Sequence, residues 1–220
     1  NSEYQKWVPT WKELSVWQNA TRGFFFNQAP NSGQKINHST LIDSYARRCI
    51  RDFDSGMLSG LTSPSRPWFR LELEDSDLMK YGPVKQYLDE CTKRMHSVFS
   101  SSNIYECLYI AYEELATFGT AAVYIGEDYL DILRGRAFTI GEYFLGNGPD
   151  NRCNTWARQF WMTVGQVVKE FGLESCSVDT KKSFAAHETE KYIKIIWMVE
   201  ENDERIEEYI DWKNMKYRSI

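Results

Sequence analysis

The sequence predicts an α+β fold, with helices in the first half of the chain and a mainly antiparallel β-rich region in the second. In three stretches, residues 40–60, 83–99 and 103–118, apolar side chains recur every three or four positions, which is the period of an amphipathic helix. Between residues 120 and 162, apolar and polar residues alternate, and turn-forming residues separate the alternating runs. We therefore expect an N-terminal arm, three amphipathic helices and a β-rich region that includes one short helix.

Residues 1–38 are predicted to form an irregular N-terminal arm, because Pro9, Gly23, Pro30 and Gly33 interrupt any long helix or strand. Large aromatic side chains are concentrated in this arm, and such side chains favour packing on another surface. That surface is either a neighbouring subunit or the chain's own fold. The candidate inter-subunit anchors are Trp7, Trp11, Trp17, Phe24, Phe25 and Phe26.

Three helices are predicted from apolar stripes and end signals. The first covers residues 40–60, with Thr40 and Asp43 at the spacing of a capping box. The second runs from Pro83 to about residue 99, and the third, capped by Asn103, ends before Gly119. The predicted core-facing stripe of the first helix contains Ile42, Tyr45, Cys49, Phe53 and Met57. Five cysteines without metal-site spacing are expected to be reduced thiols, of which Cys49, Cys91 and Cys107 belong to helix cores.

Residues 61–74 change in character after the first helix. Pro64 and Pro67 fix φ and lack a backbone donor, so they predict an extended turn. Residues 69–74 then alternate between apolar and polar, which predicts a half-buried strand. We expect Trp68, at the start of this strand, to be largely buried.

Four strands are predicted after the third helix, at residues 120–125, 129–134, 137–145 and 153–162. Thr163 and Gln166 predict a short capped helix over residues 164–171, which Gly172 ends. Residues 173–190 are expected to form a loop. Residues 191–199 and 205–212 predict a hairpin, and a further strand-like run over 215–220 indicates an incomplete protein.

The net charge and hydropathy restrict which partners the chain can bind. With 26 basic and 31 acidic residues, the net charge is −5, whereas a protein that grips DNA through its phosphates carries the opposite sign. Double-stranded DNA, if it is a partner, is expected to pass by without being held. No apolar run approaches the roughly 20 residues that span a bilayer, and the N-terminus lacks the apolar core of a signal peptide. These features favour folding in the cytoplasm without a membrane partner.

No catalytic, cofactor-binding or metal-binding residue is predicted. The sequence has no Gly-rich phosphate loop and no nucleophile elbow, and its three histidines lie far apart. The strongest enzymatic alternative is a group of carboxylates of the kind that two-metal nucleases gather around magnesium. We interpret these carboxylates as solvated faces and helix caps instead. The group contains Asp52, Asp54, Glu72, Glu74, Asp75 and Asp77.

One stretch, residues 59–69, indicates a protein family more specifically than the amino-acid composition does. It resembles the signature of the portal (head-to-tail connecting) proteins of short-tailed bacteriophages, in which it also follows a helix and precedes a strand. The motif residues are Gly60, Leu61, Pro64, Pro67, Trp68 and Phe69. Further matches follow in order, among them residues 102–105, 118–121, 141–143 and 158–160. The resemblance covers about residues 39–172, which predicts an arm at 1–38, a portal-like domain at 39–172 and a continuation at 173–220.

The resemblance implies a structural subunit of a closed ring, typically of about twelve copies, at one vertex of a phage head. Through this ring, double-stranded DNA is packaged and ejected. Family members also contact the capsid or scaffolding protein, the terminase motor and a tail adaptor, and they carry a stem and a clip that we do not find here. The chain therefore resembles the outer wing portion, located in the virion after assembly in the host cytoplasm. The alternatives are an oligomeric structural module of another viral assembly and the metal-dependent nuclease.

Overall fold

The structure, a computed structural model, describes residues 2–19, 22, 43–150, 152–206, 211 and 214–219. The chain divides into two compact units, one formed mainly by Ser2–Gly23 and Ile36–Ile140 and the other mainly by Gly141–Ile220. The first is mainly helical and the second is built on an antiparallel sheet, so the predicted α+β class is confirmed. The predicted boundaries at residues 38 and 172 stay predictions. Within the described part of the chain, no helix is both long and apolar enough to cross a membrane.

Helix α5 (Ile104–Phe118) is the centre of the helical unit, because it contacts three other helices and both strands of this unit and buries seven of its 15 residues. The core around it includes Tyr112, Phe138 and Ile140, which are at most 8% exposed. Gly119 ends α5 with a φ of 76°, as predicted for a left-handed cap. The other elements of this unit are α1 (Ser2–Trp17), α2 (Tyr45–Leu61), α3 (Ser76–Lys80), α4 (Gly82–Ser101), β1 (Ala122–Asp128) and β2 (Ile132–Phe138).

The expectation of an irregular N-terminal arm is wrong for residues 2–17, which form α1 with Pro9 inside it. Tyr4, Val8, Trp11 and Ser15 recur at helical spacing and lie on its less exposed side. Because one proline removes a single hydrogen bond, this apolar stripe outweighs it when the helix can pack on α5. The rest of the predicted arm, apart from residues 18, 19 and 22, lies outside the described residues.

Helix α2 buries a different face from the one predicted. Ile50 and Asp54 are buried, whereas Tyr45 and Phe53 are 71% and 48% exposed and Cys49 is exposed. The expected core role therefore fails for Cys49 and holds for Cys107, which is buried. The spacing of apolar residues predicted the helix correctly. However, α2 has two apolar faces, and α5 covers only one of them. The predicted cap at Thr40 and the stripe residue Ile42 lie outside the described residues.

The hairpin β1–β2 is antiparallel, with Asp128 opposite Ile132 at its end. The turn therefore lies at residues 129–131, which had been assigned to a strand, and Gly126 lies inside β1. Gly126 is not a turn residue, because it pairs with Arg134 in the β1–β2 ladder. A Cβ there would stand 2.8 Å from the Tyr124 ring. Gly135, expected between strands, lies inside β2, where its backbone N–H and C=O bond the Asn103 side chain at 2.8 Å each. Asn103 thus ties α5 to β2 instead of capping α5 with its side chain.

The second unit is a four-stranded antiparallel sheet in the order β3-β4-β5-β6, with two helices. Its strands are β3 (Tyr143–Asn147), β4 (Cys153–Thr163), β5 (Tyr192–Glu201) and β6 (Tyr217–Ser219). The predicted capped helix is confirmed as α6 (Val164–Phe171), with both capping-box bonds present. The predicted loop over 173–190 is wrong in part, since Ser177 caps α7 (Val178–Ala185). The second arm of the predicted hairpin lies largely outside the described residues, and β5 pairs with β6 instead.

Candidate assembly interface

The family motif joins the end of α2 to an extended segment that lies on α4. Gly60 and Leu61 form the last turn of α2, where Leu61 is 56% exposed. The chain is anchored just beyond by Thr62, whose hydroxyl is 3.0 Å from that of Tyr112 on α5. Pro64 and Pro67 are both exposed, so they direct the chain without adding to the core.

Trp68 and Phe69 form an aromatic cluster with α4. The Phe69 ring stacks on His96 with 4.1 Å between ring centroids, and Trp68 stacks on Phe99 at 6.2 Å. The Trp68 indole N–H donates to the Tyr105 hydroxyl at 3.3 Å. Trp68 is nevertheless 37% exposed, so the expectation that it is largely buried is wrong.

Residues 69–74 do not form the predicted strand, because no strand pairs with them among the described residues. Side chains of α4 take the place of a partner strand. The His96 ring bonds the Phe69 carbonyl at 3.1 Å, and the Thr92 hydroxyl accepts from the Leu71 N–H at 3.1 Å. The alternating pattern therefore reflects an extended segment on a helix, which a sequence does not distinguish from a strand in a sheet.

The described candidate anchors lie on α1. Trp7 and Trp17 are 58% and 49% exposed, and Trp11 is half-buried between the rings of Tyr4 and Trp7. Their exposure leaves apolar surface for a partner, so the role of Trp7, Trp11 and Trp17 as anchors stays a prediction. Phe24, Phe25 and Phe26 lie outside the described residues.

The six carboxylates of the nuclease alternative do not converge. Asp75 caps α3, where it accepts from the N–H groups of Asp77 and Leu78, and Asp77 pairs with Lys80 at 2.8 Å. Asp52, Glu72 and Glu74 are exposed, and Asp54 alone is buried. Among the described residues, no group of three or more His, Cys, Asp or Glu side chains is arranged to hold a metal ion.

A buried polar network, which the sequence reading missed, attaches the end of α1 to α5. Asn19 donates to the Glu113 carboxylate at 2.9 Å, and Arg22 donates to the same carboxylate at 3.1 Å. The adjacent Glu114 is fully buried and accepts from the Thr139 hydroxyl at 2.8 Å and the Ile140 N–H at 3.1 Å. The available signal was a pair of acids within the otherwise apolar α5.

Burial raises the pKa of Glu114 to about 7, although the bonds from Thr139 and Ile140 and the charge of Arg22 lower it. Burial also raises the pKa of Asp54 to about 6, and the negative charge of Glu113 adds to this effect. Both carboxylate oxygens of Asp54 lack a hydrogen-bond partner. Ionisation of either buried acid therefore disfavours the folded state.

The end of the β1–β2 hairpin was also missed. Tyr129, Leu130 and Ile132 are 108%, 89% and 62% exposed, so three large apolar side chains project together into solvent. The sequence predicted that all three belong to a strand over residues 129–134. Large apolar side chains exposed together often mark a surface where another protein binds.

Comparisons with known proteins give the family. The model of the family described as bacteriophage head to tail connecting protein matches residues 1–220. The chain is 39% identical over 210 residues to the portal protein of Salmonella phage epsilon15, covering 96% of this chain and 38% of that protein. It is 35% identical over 219 residues to a probable portal protein of Bordetella phage BPP-1, covering 100% of this chain and 39% of that one.

The chain belongs to the bacteriophage head to tail connecting protein family. The resemblance found in the motif at residues 59–69 is therefore confirmed, and the match extends through the arm and the C-terminal segment. The chain spans 38–39% of the length of the curated relatives it matches.

Proposed function

We propose that the chain is a structural part of a portal ring subunit, the connector between head and tail at one vertex of a phage, and that it is not an enzyme. The observation that carries this proposal is the family match over the whole chain, together with two relatives named as portal proteins. In this role the ring lets double-stranded DNA into the head during packaging and out during ejection. The protein is then a component of the virion after assembly in the host cytoplasm.

Within the ring, we propose that this part forms the outer wing and contacts its neighbours. A ring of about twelve copies, as the family resemblance implies, needs two different adhesive surfaces on each copy. Exposed aromatic side chains on α1, among them Trp7 and Trp17, and the projecting hairpin are candidates for those surfaces. The capsid or scaffolding protein, the terminase motor and a tail adaptor are further partners of the whole portal.

The negative charge of the chain favours a role in which DNA passes through the ring and is not bound by it. A net charge of −5 repels phosphate, so a duplex moving through a ring of such subunits is not held by them. Contact with DNA in this proposal is therefore independent of sequence.

The ring is tested by measuring mass in solution and by negative-stain imaging of the purified chain. We expect a closed ring of identical copies. A chain that stays monomeric at every concentration, or that grows into open filaments, would overturn the proposal.

The structural role is tested against the nuclease alternative with linear and supercoiled DNA in the presence of Mg²⁺. We expect no cleavage, because Asp52, Glu72 and Asp75 are exposed on separate elements. Mg²⁺-dependent hydrolysis that disappears on replacement of these residues by alanine would instead assign an enzyme.

A further inference from the structure

One edge of β5 is mostly open among the described residues. Strand β6 pairs only with the end of β5, where Val199 lies opposite Ser219 and Glu201 lies opposite Tyr217. On the same side, no described strand lies along residues 192–197, whereas β4 pairs with this whole length on the other side. Strand β6 therefore pairs with three of the ten residues of β5.

The hydrogen bonds at the two ends of β5 identify which backbone groups face the open edge. The Asn202 N–H donates to the Lys216 carbonyl at 2.9 Å, on the β6 side, whereas the Lys191 carbonyl accepts at 2.9 Å from the residue that follows β4. Because hydrogen-bonded and non-hydrogen-bonded pairs alternate in an antiparallel ladder, even-numbered residues of β5 point their polar groups away from β4. The backbone N–H and C=O groups of Lys194 and Ile196 thus lie on the open edge.

The composition of this edge favours pairing with another strand. Residues 192–198 contain six large apolar or aromatic side chains and one charge, on Lys194, with neither proline nor glycine. Native proteins block edges of this kind with charges, prolines, bulges or a covering segment, because an open one pairs with other chains. Ile196, in the middle of the open stretch, is 66% exposed. The edge therefore needs a partner strand.

Strand β6 reaches this edge in a register that its side chains fix. Arg218 donates two hydrogen bonds to the carboxylate of Glu200 opposite it, at 2.7 and 2.9 Å. The Trp197 indole N–H donates to the Ser219 hydroxyl at 2.6 Å. Because β6 is antiparallel to β5, the chain at Ser219 is directed along the open residues of β5. Residues that follow can extend the ladder without the entropic cost of closing a loop.

We infer that the continuation of this chain beyond Ser219 extends β6 along β5 as far as Tyr192, within the same subunit. The occupant is the chain itself, because β6 already delivers it to the edge and because the portal relatives are more than twice as long as the part that this chain matches. In this register, the fourth residue after Ser219 lies opposite Ile195 and the seventh lies opposite Tyr192. The inference does not depend on the proposed ring.

Hydrogen exchange at single-residue resolution tests the pairing. The 220-residue chain is compared with the same protein carrying its natural continuation. In the 220-residue chain, the amides of Lys194 and Ile196 should exchange at least about tenfold faster than those of Ile193 and Ile195, which face β4. With the continuation, exchange at Lys194 and Ile196 should slow by at least about 100-fold, while exchange at the other two amides changes little.

A disulfide tests the register. Ile195 and the fourth residue after Ser219 form a non-hydrogen-bonded pair in the extended ladder, with Cα atoms about 4.5 Å apart, which a disulfide can span. Ile195→Cys, combined with a cysteine at that fourth position, should therefore form a disulfide within one subunit, identified by peptide mapping. The matched control places the second cysteine one residue earlier, where its side chain lies on the other face of the sheet and should not react.

Four results would overturn the inference. The first two are fast exchange at Lys194 and Ile196 in the presence of the continuation, and equal cross-linking of the two cysteine pairs. The third is a disulfide that joins two subunits or slow exchange at these amides in the 220-residue chain, because another copy then covers the edge. The fourth is a natural sequence that ends at Ile220, since no segment then remains to extend β6.

Discussion

Glu114 holds a carboxyl group in a place where water does not reach it. Its neighbours supply two hydrogen bonds, from Thr139 and Ile140, but Arg22 approaches it only to 3.9 Å and bonds Glu113 more closely. Burial therefore dominates and raises its pKa to about 7 from the ordinary 4.5. Between these two pH values, the folded protein keeps the proton on Glu114, whereas the unfolded chain has released it.

We predict that Glu114→Gln changes the pH dependence of stability. Between pH 4.5 and about 7, the folded state binds one more proton than the unfolded state, so wild-type stability falls as the pH rises. Glutamine has no proton to release, so the stability of the variant relative to wild type should rise across this window and level off above it. The full gain is on the order of 3 kcal/mol.

Thermal unfolding at pH 4, 5, 6, 7 and 8 checks this prediction. Glu74→Gln, at an exposed position, is the matched control and should show no comparable trend. A constant difference in Tm between Glu114→Gln and wild type across the series would contradict the prediction.

Trp68 stacks on Phe99 and is 37% exposed to water. Trp68→Ala should lower the free energy of unfolding by about 1–3 kcal/mol, below the range for fully buried tryptophans. Trp68→Phe keeps a ring on Phe99 and loses the bond to Tyr105, so its cost should be about 1 kcal/mol. Urea denaturation of both variants measures these costs, and equal losses would show that the hydrogen bond, not the stacking, matters.

At the scale of elements, Asn103 joins α5 to β2 through both polar atoms of its side-chain amide. Asn103→Ala leaves the buried backbone N–H and C=O of Gly135 without these partners, which should cost about 1–3 kcal/mol. Asn103→Asp can still accept from the N–H but cannot donate to the carbonyl, so it should fall between wild type and alanine. Chemical denaturation tests this order, and an alanine variant as stable as wild type would refute it.

Local signals predicted those elements whose ends are fixed by their own side chains. Helix α6 was found to the residue because Thr163 and Gln166 bond its first turn, and α5 ends at Gly119 as expected. The hairpin turn was misplaced because glycine is a common turn residue, whereas Gly126 pairs with Arg134 inside β1. Helix α1 was not predicted because Pro9 is a helix breaker. Its apolar side chains stabilise the helix only by packing on α5, and this contact is not visible in the sequence.

The choice between the two faces of α2, and the exposure of Tyr129, could not be predicted from the chain alone. Both depend on which surface another part of the chain covers, and apolar composition is the same in either case. The family motif at residues 59–69 could be recognised from the sequence because the order and spacing of its residues are specific. What the motif contacts, the side chains of Thr92 and His96 on α4, required the structure.

For the whole molecule, the N-terminal helix belongs to the subunit as well as to any assembly. Deleting residues 1–22 removes both Asn19 and Arg22 from the partly buried Glu113, and the apolar side of α1 from α5. We predict a loss of about 2–4 kcal/mol, near the range for breaking a buried ion pair. The full-length variant Asn19→Ala with Arg22→Ala should account for part of this loss, and unchanged stability of the truncated chain would contradict the attachment.

The tip of the β1–β2 hairpin, residues 129–131, is also a natural point of attack for proteases, because its side chains are exposed. Chymotrypsin accepts large apolar side chains in exposed turns, and a cut after Tyr129 would leave fragments of 129 and 91 residues. If the tip is covered in the ring, a free subunit should be nicked there quickly and an assembled one slowly. The rate at which this pair of fragments forms would then report the fraction of assembled subunits without any label.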